Sequence, residues 1–189
     1  TQVLFREILS ANIDIDKNIS NCLMTGLITD TGRFQYSNTD NEVFEIASKL
    51  MLSGAELTSI SDNIYGSIPM NAIKLQSEVL NRIELYEEEE LVVSYVLQED
   101  YLNYNIESSE TDFLIDSIRL VRESSVALLL KEQQDKSFKG SLRSRNALDV
   151  QQIASLFGGG GHKAASGFSS NLSMEEIKNK VKNAIKSQI

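Results

Sequence analysis

Residues 155–168 read SLFGGGGHKAASGF, in which four consecutive glycines lead into the only histidine of the chain. A helical pattern precedes the glycines and small residues follow them, whereas a flexible linker is polar on both sides and lies between domains. Several glycines permit positive φ angles and let backbone N–H groups converge on an anion, particularly where a helix begins directly afterwards. The pattern predicts either a phosphate-binding loop or a tight structural turn, and motif physics alone does not choose between them.

A pair of arginines lies just upstream of the glycine run. In the sequence SLRSR, period-2 geometry puts Arg143 and Arg145 on one face of a strand and Ser144 on the other. Two arginines on a solvent-facing strand need no function, but an arginine beside a glycine loop presents a planar fork that matches phosphate oxygens. His162 and Lys163 add a hydrogen-bond donor and a fixed positive charge.

The composition is that of a globular chain with an acidic excess. In 189 residues, 41% are hydrophobic, and 27 acidic against 18 basic residues give a net charge of -9. Long duplex DNA is disfavoured as a partner, because binding to its backbone requires a basic surface, whereas a short or terminal phosphate needs only a local positive site. One cysteine and the lack of a long apolar run predict a cytoplasmic protein without a membrane partner.

Hydrophobic periodicity predicts a helical first half and an α/β second half. Acidic residues at 87–90 separate them and are expected to form a solvated turn. The predicted helices cover 2–9, a segment from 17 onward, a segment behind a capping box of Thr39 and Glu42, 55–65, a segment from Pro69 to about Tyr86, 109–120, a segment ending near Phe157, and 173–188. The predicted strands cover 91–97, 125–132 and 138–145.

Two motifs together carry a family resemblance. FGGGGHKAASGF, preceded by KGSLRSRNALDVQQIA, resembles the C-terminal DHHA1 domain of the DHH phosphoesterases, and LMTGLITDTGRFQYSNT resembles the last block of their catalytic DHH domain. The resemblance is strongest to the NrnA-like branch, the bifunctional oligoribonucleases and 3′-phosphoadenosine 5′-phosphate (PAP) phosphatases. It implies three parts: residues 1–66 as the helical end of a DHH catalytic domain, 67–86 as a linking helix, and 87–189 as a mixed-sheet DHHA1 substrate-binding domain.

The resemblance also implies an activity and a set of site residues. Such enzymes hold two divalent metal ions, usually manganese, and hydrolyse short RNA oligonucleotides, PAP or products of cyclic dinucleotides. By position in the motifs, Asp30 matches a metal ligand, Gly159, Gly160, Gly161 and His162 match the loop that holds the substrate phosphate, and Arg143 and Ser144 match strand residues that hold the nucleotide.

One departure from the family pattern limits this interpretation. The Asp-His-His motif that names the family is absent, and a chain with one histidine cannot supply the histidines of the metal centre. We therefore expect the chain to be the C-terminal part of a larger enzyme, inactive or nearly so by itself. The alternative is a nucleotide- or RNA-binding module without chemistry. Asp30 alone also fits a residue that caps a turn, and the sequence leaves open whether the protein forms a homodimer.

Overall fold

The protein divides into two compact units, Thr1–Ile68 and Pro69–Ile189. The computed structural model describes residues 1–35, 38–145 and 148–188. Among these residues, no helix combines the length and the apolar character that crossing a bilayer requires. The quoted motifs also include Tyr36, Ser37, Asn146 and Ala147, which lie outside the described residues.

The first unit is helical. Its helices are α1 (Gln2–Ser10), α2 (Lys17–Asp30), α3 (Asn41–Leu52) and α4 (Leu57–Tyr65). The core between them includes Leu23, Met24, Leu27, Ile28, Val43, Ile46 and Leu50. Thr39 was predicted to cap α3, but Asp40 does so, because its carboxylate accepts the Val43 N–H at 3.0 Å. A carboxylate at this position also interacts favourably with the positive end of the helix dipole.

The second unit is built on a mixed six-stranded sheet, which confirms the predicted α/β class. Its elements are α5 (Met70–Asn81), β1 (Glu84–Tyr86), β2 (Leu91–Val96), α6 (Gln98–Tyr104), α7 (Leu114–Ile118), β3 (Val126–Glu132), β4 (Phe138–Ser144), α8 (Val150–Ser155), β5 (Gly160–His162), β6 (Ala165–Ser170) and α9 (Met174–Lys186). The strand order is β1-β2-β3-β4-β6-β5. Strands β2 and β3 pair in parallel, and the other neighbouring strands pair antiparallel.

The predicted extension of α5 to about residue 86 is wrong. The helix ends at Asn81, and Glu84–Tyr86 instead pairs antiparallel with β2. The reversal follows a short 3-10 turn at Glu87–Glu89 and a left-handed Glu90 with φ of 46°. The acidic run does form the expected turn, but Glu89 is buried and pairs with Lys186 at 3.0 Å rather than facing water.

The segment between β2 and β3 also differs from its prediction. Helix α6 was not predicted, and in place of one helix over 109–120 there are a 3-10 turn at Ser108–Thr111 and the short helix α7. Sequence periodicity did not identify α6 because the helix has only seven residues and packs through just Tyr101 and Tyr104. Its first turn is stabilised by Asp100, whose carboxylate accepts the Leu97 N–H at 2.7 Å and two hydrogen bonds from Arg82.

Helices cover the two faces of the sheet to different extents. On one face, side chains from β2, β3, β4 and β6 pack with α8 and α9. On the other face, Val92, Val96, Ala127 and Leu129 of β2 and β3 pack with α5, α6 and α7. This second core contains no described side chain from β4, β5 or β6. The described residues of those three strands on this face lie outside the apolar core, and none of them is buried.

Candidate functional site

The glycine run forms an edge strand rather than the start of a helix. Gly160–His162 is β5, which pairs antiparallel with β6 at the end of the sheet. No helix follows the run, because the small residues after Lys163 form β6 beside β4. Any anion bound here would therefore meet the exposed backbone of a sheet edge and not a helix dipole.

The structure requires glycine at some positions of the run and not at others. A Cβ on Gly159 would lie 2.6 Å from Phe168 Cβ and 2.8 Å from its Cα, closer than side chains come to one another. Gly161 has φ of 143°, and a Cβ there would lie 2.6 Å from the Ala165 carbonyl oxygen. A Cβ on Gly160 would meet no atom within 4 Å. Close packing thus requires glycine at 159 and 161, the φ of 74° favours glycine at 158, and Gly160 is open.

Strand register identifies the surroundings of His162. Directly opposite residues of antiparallel strands project to the same face of a sheet. On the face opposite α8 and α9, two rows cross β4, β6 and β5, and a third crosses β4 and β6 only: Arg143, Ala165 and His162; Ser141, Gly167 and Gly160; Lys139 and Ser169. We call these eight residues the open strip. None of the eight is buried.

One end of the open strip is positively charged. Arg143 and His162 flank Ala165 in the first row, two strand spacings or about 10 Å apart. The Arg143 Nη1 donates to the Leu142 carbonyl at 3.0 Å, and among the described residues the guanidinium has no ion-pair partner. Lys163, next to His162, is exposed. The small side chains of β6 between Arg143 and His162 leave room for a phosphate.

Backbone hydrogen bonds hold the β5–β6 turn against its neighbours. The carbonyl of Lys163 accepts the Val150 N–H at 3.0 Å, and the carbonyl of Ala164 accepts the Ser144 N–H at 2.9 Å. The Ser166 hydroxyl donates to the His162 carbonyl at 2.8 Å. His162 is therefore fixed relative to both β4 and α8.

Two residues of the SLRSR segment do not share the strip with Arg143. By register Ser144 belongs to the opposite face, as predicted, so its contact with a nucleotide stays a prediction. Arg145 was expected beside Arg143, but β4 ends at Ser144 and the Arg145 Nη1 donates to the Val121 carbonyl at 3.3 Å. Strand alternation could have identified Ser141 and Lys139 from the sequence, since they are the alternate residues of β4 before Arg143.

An aromatic stack supports the glycine run from the opposite face. Phe168 lies directly over Gly140, where a Cβ would come within 2.5 Å of its Cε1 atom. Phe157 stacks on Phe168 with ring centroids 4.1 Å apart. Lys180 lies 4.6 Å from the Phe157 centroid and donates to the Leu156 carbonyl at 2.7 Å. The end of α8 is thereby fixed immediately before the first glycine.

Asp30 lies in the first unit as the last residue of α2. Its carboxylate accepts the Thr1 hydroxyl at 2.8 Å, and this hydrogen bond lowers the pKa of Asp30. In the described part of the chain, no three His, Cys, Asp or Glu side chains lie close enough to hold a metal ion. One carboxylate does not fit a two-metal centre, which needs several ligands to fix its geometry.

This chain is similar to one domain family and to several known proteins. The DHHA1 domain profile matches residues 88–187. A bifunctional oligoribonuclease and PAP phosphatase NrnA of Thermus thermophilus is 31% identical over 172 residues, 90% of this chain and 51% of that protein. An A-adding tRNA nucleotidyltransferase of Aquifex aeolicus is 26% identical over 98% of this chain and 22% of its own length.

A solved structure has the same fold over nearly the whole chain. The exopolyphosphatase-related protein of Bacteroides fragilis superposes with a TM-score of 0.90 at 25% identity, covering 98% of this chain and 55% of its own. The chain thus spans about half the length of the NrnA relative and of this structural neighbour.

Proposed function

This chain belongs to the DHHA1 domain family, and from that premise we propose that its second unit binds the phosphate of a nucleotide or short oligonucleotide on the open strip. The observation that carries the proposal is the row of Arg143, Ala165 and His162 beside the vacant side of Gly160. This arrangement combines two hydrogen-bond donors with a surface of very small residues, Ala165, Gly167 and Gly160. A phosphate can therefore approach the β5 backbone closely.

Each residue of the first row has a distinct task in this proposal. The Arg143 guanidinium donates two parallel hydrogen bonds to phosphate oxygens, which fixes the orientation of the phosphate as well as its position. His162 donates from the neighbouring edge strand. Gly160 leaves its place on the face empty, so that the ligand contacts backbone and not a methyl group.

We further propose that the longer protein is a phosphoesterase of short RNA oligonucleotides, PAP or products of cyclic dinucleotides. The name of the Thermus thermophilus relative supports this class of substrate. Asp30 would be one ligand of a divalent-metal centre, with manganese as the expected ion and other segments supplying the remaining ligands. The three-part division at 1–66, 67–86 and 87–189, a cytoplasmic location and the absence of membrane or long duplex DNA as partners stay predictions, and dimerisation stays open.

A binding module for RNA without chemistry is the second candidate. The match to an A-adding tRNA nucleotidyltransferase over 98% of this chain favours it, since that protein is named for an action on RNA. The open strip would serve both functions. Hydrolysis of a short RNA by the longer protein distinguishes them.

Replacing Arg143 tests the first row of the strip. Arg143→Ala is expected to weaken binding of adenosine 5′-monophosphate by roughly ten- to a hundredfold, the range for loss of hydrogen bonds to a charged group. Isothermal titration at low salt measures the dissociation constant. Lys74→Ala, which removes an exposed lysine of α5, is the matched control and should leave it unchanged. Equal dissociation constants for Arg143→Ala and the unmodified chain would remove Arg143 from the site.

The separation of binding from chemistry can be measured on the 189-residue chain. We expect it to bind a mononucleotide without hydrolysing a short RNA in the presence of Mn²⁺, because Asp30 is one carboxylate and the described residues supply no metal cluster. An assay with a 5′-labelled triribonucleotide measures this. Turnover that persists after repurification, and that Asp30→Asn abolishes, would contradict the expectation.

A further inference from the structure

A second cation lies at the far end of the open strip. Lys139 projects from β4 on the same face as Arg143, with Ser141 between them. The two residues are four steps apart along the strand, so their Cα atoms are about 13 Å apart. This exceeds the step from one backbone phosphate of an oligonucleotide to the next. The strip is therefore long enough for more than one nucleotide.

The position of Lys139 has an electrostatic cost, because a second lysine lies next to it across the sheet. Lys139 lies directly opposite Lys131 on β3, and like charges in that relation destabilise a sheet. Lys131 is buried, and its Nζ is 2.7 Å from Asp112 Oδ1. Burial lowers the pKa of Lys131, Asp112 opposes that change, and the charge of Lys139 lowers it further. Among the described residues, Lys139 itself has no ion-pair partner.

The surface of the open strip between Arg143 and Lys139 is made of small residues. Gly167 lies beside Ser141, and a Cβ there would meet the Gly140 carbonyl oxygen at 3.4 Å and no other atom within 4 Å. Gly160 continues the same row without a side chain. A nucleoside can lie flat across this row, and the long side chains of Arg143 and Lys139 can reach inward from the two ends to its flanking phosphates.

The strip ends in an acidic region beyond Ser169. Ser169 also lines a cleft of about 1550 Å³ between the β3–β4 turn and the loop after α6. The cleft is lined by Glu107, Glu110 and Asp135, and its lining includes no Lys or Arg. Further phosphates would be repelled there. The charge pattern therefore favours two phosphates over a longer chain.

We propose that Lys139 binds the second phosphate of a short single-stranded oligonucleotide whose first phosphate lies at Arg143 and His162. The inference rests on the proposed function for the first phosphate. It gives the site a preference for a dinucleotide over a mononucleotide, with little further gain from a third nucleotide. An anion at this place also compensates the repulsion between Lys139 and Lys131.

The test compares ligands that differ by one charge. Adenosine 5′-monophosphate, 5′-phosphorylated diadenylate and the same dinucleotide with a neutral methylphosphonate linkage are titrated into the unmodified chain, Lys139→Gln, Lys139→Arg and the control Lys74→Gln. Lys139→Gln should raise the dissociation constant of the dinucleotide roughly three- to tenfold and leave that of the mononucleotide unchanged. Lys139→Arg and Lys74→Gln should bind the dinucleotide like the unmodified chain.

Two further results identify a phosphate contact. The slope of log affinity against log salt for the dinucleotide should fall by about 0.7 in Lys139→Gln. Lys139→Gln should cause no loss of affinity for the methylphosphonate dinucleotide, because the contact is already absent. The inference would be overturned if Lys139→Gln lost the same affinity for the charged and the neutral linkage, or if its affinity for the charged dinucleotide were unchanged. In either case, binding of the mononucleotide would leave the proposed function standing. A mononucleotide that does not bind to the strip would overturn both.

Discussion

The variant Gly159→Val is expected to lower the free energy of unfolding by about 3 kcal/mol, whereas Gly160→Val should change it by less than about 0.5 kcal/mol. At Gly159 the added side chain would collide with the backbone of β6, at 2.8 Å from Phe168 Cα. At Gly160 it would enter open space in an edge strand, where valine is well tolerated. Urea unfolding measures both values.

The same pair separates folding from binding. Gly160→Val should abolish measurable binding of adenosine 5′-monophosphate, because the valine methyls would occupy the open side of β5 in the row next to His162, where the proposed ligand approaches the backbone. A flexible linker or a purely structural turn has no such position. A Gly160→Val protein that keeps both its stability and its affinity for the mononucleotide would show that the ligand does not approach β5. Equal free energies of unfolding for Gly159→Val and Gly160→Val would contradict the close packing at Gly159.

The largest electrostatic effect on stability is expected from Arg82→Ala. Arg82 Nη1 and Nη2 donate to the two carboxylate oxygens of Asp100 at 2.6 and 2.9 Å, and Asp100 is 3% exposed. Removing the arginine leaves a buried carboxylate without its counter-ion, which costs about 3 kcal/mol. Arg122→Ala, at an exposed arginine of the same unit, is the control and should cost less than about 0.5 kcal/mol.

The pH dependence of this effect has a definite sign. Burial raises the pKa of Asp100, but hydrogen bonds from Arg82 and from the Leu97 N–H outweigh it, so the pKa lies below its ordinary value. A carboxylate with a lowered pKa stabilises the fold above the unfolded pKa of about 3.9, and this contribution is lost as the pH falls through the folded pKa. The difference between Arg82→Ala and the unmodified chain should therefore shrink below about pH 4. A difference that is constant from pH 7 to acid would contradict the assignment.

Periodicity predicts the elements whose stability comes from an apolar face. The strands β2, β3 and β4 were predicted to within a residue at each end, and α9 by its capping box and amphipathic pattern. Elements that depend on distant partners were missed. Helix α6 depends on Arg82 from the end of α5, and β1 forms because Glu90 reverses the chain.

The candidate site could be predicted in its residue types but not in its arrangement. Residue chemistry and the family resemblance both propose Arg143 and His162 as phosphate ligands, but neither predicts that they share a row, since they lie on strands separated by β6. Their common row depends on the register of β4 with β6 and of β6 with β5, which no local pattern encodes. The glycine run likewise offered a turn or a phosphate loop as alternatives. The structure shows close packing at Gly159 and Gly161, with an open position between them.

Chemical-shift mapping with adenosine 5′-monophosphate tests the central claim most directly. The account predicts saturable shifts of backbone amides at Arg143, Gly160, His162, Ala165 and Gly167 that weaken as salt increases, because the contacts are exposed and charge-assisted. Shifts that saturate elsewhere in the second unit, for example around the acidic cleft, while these five amides stay unchanged would contradict it.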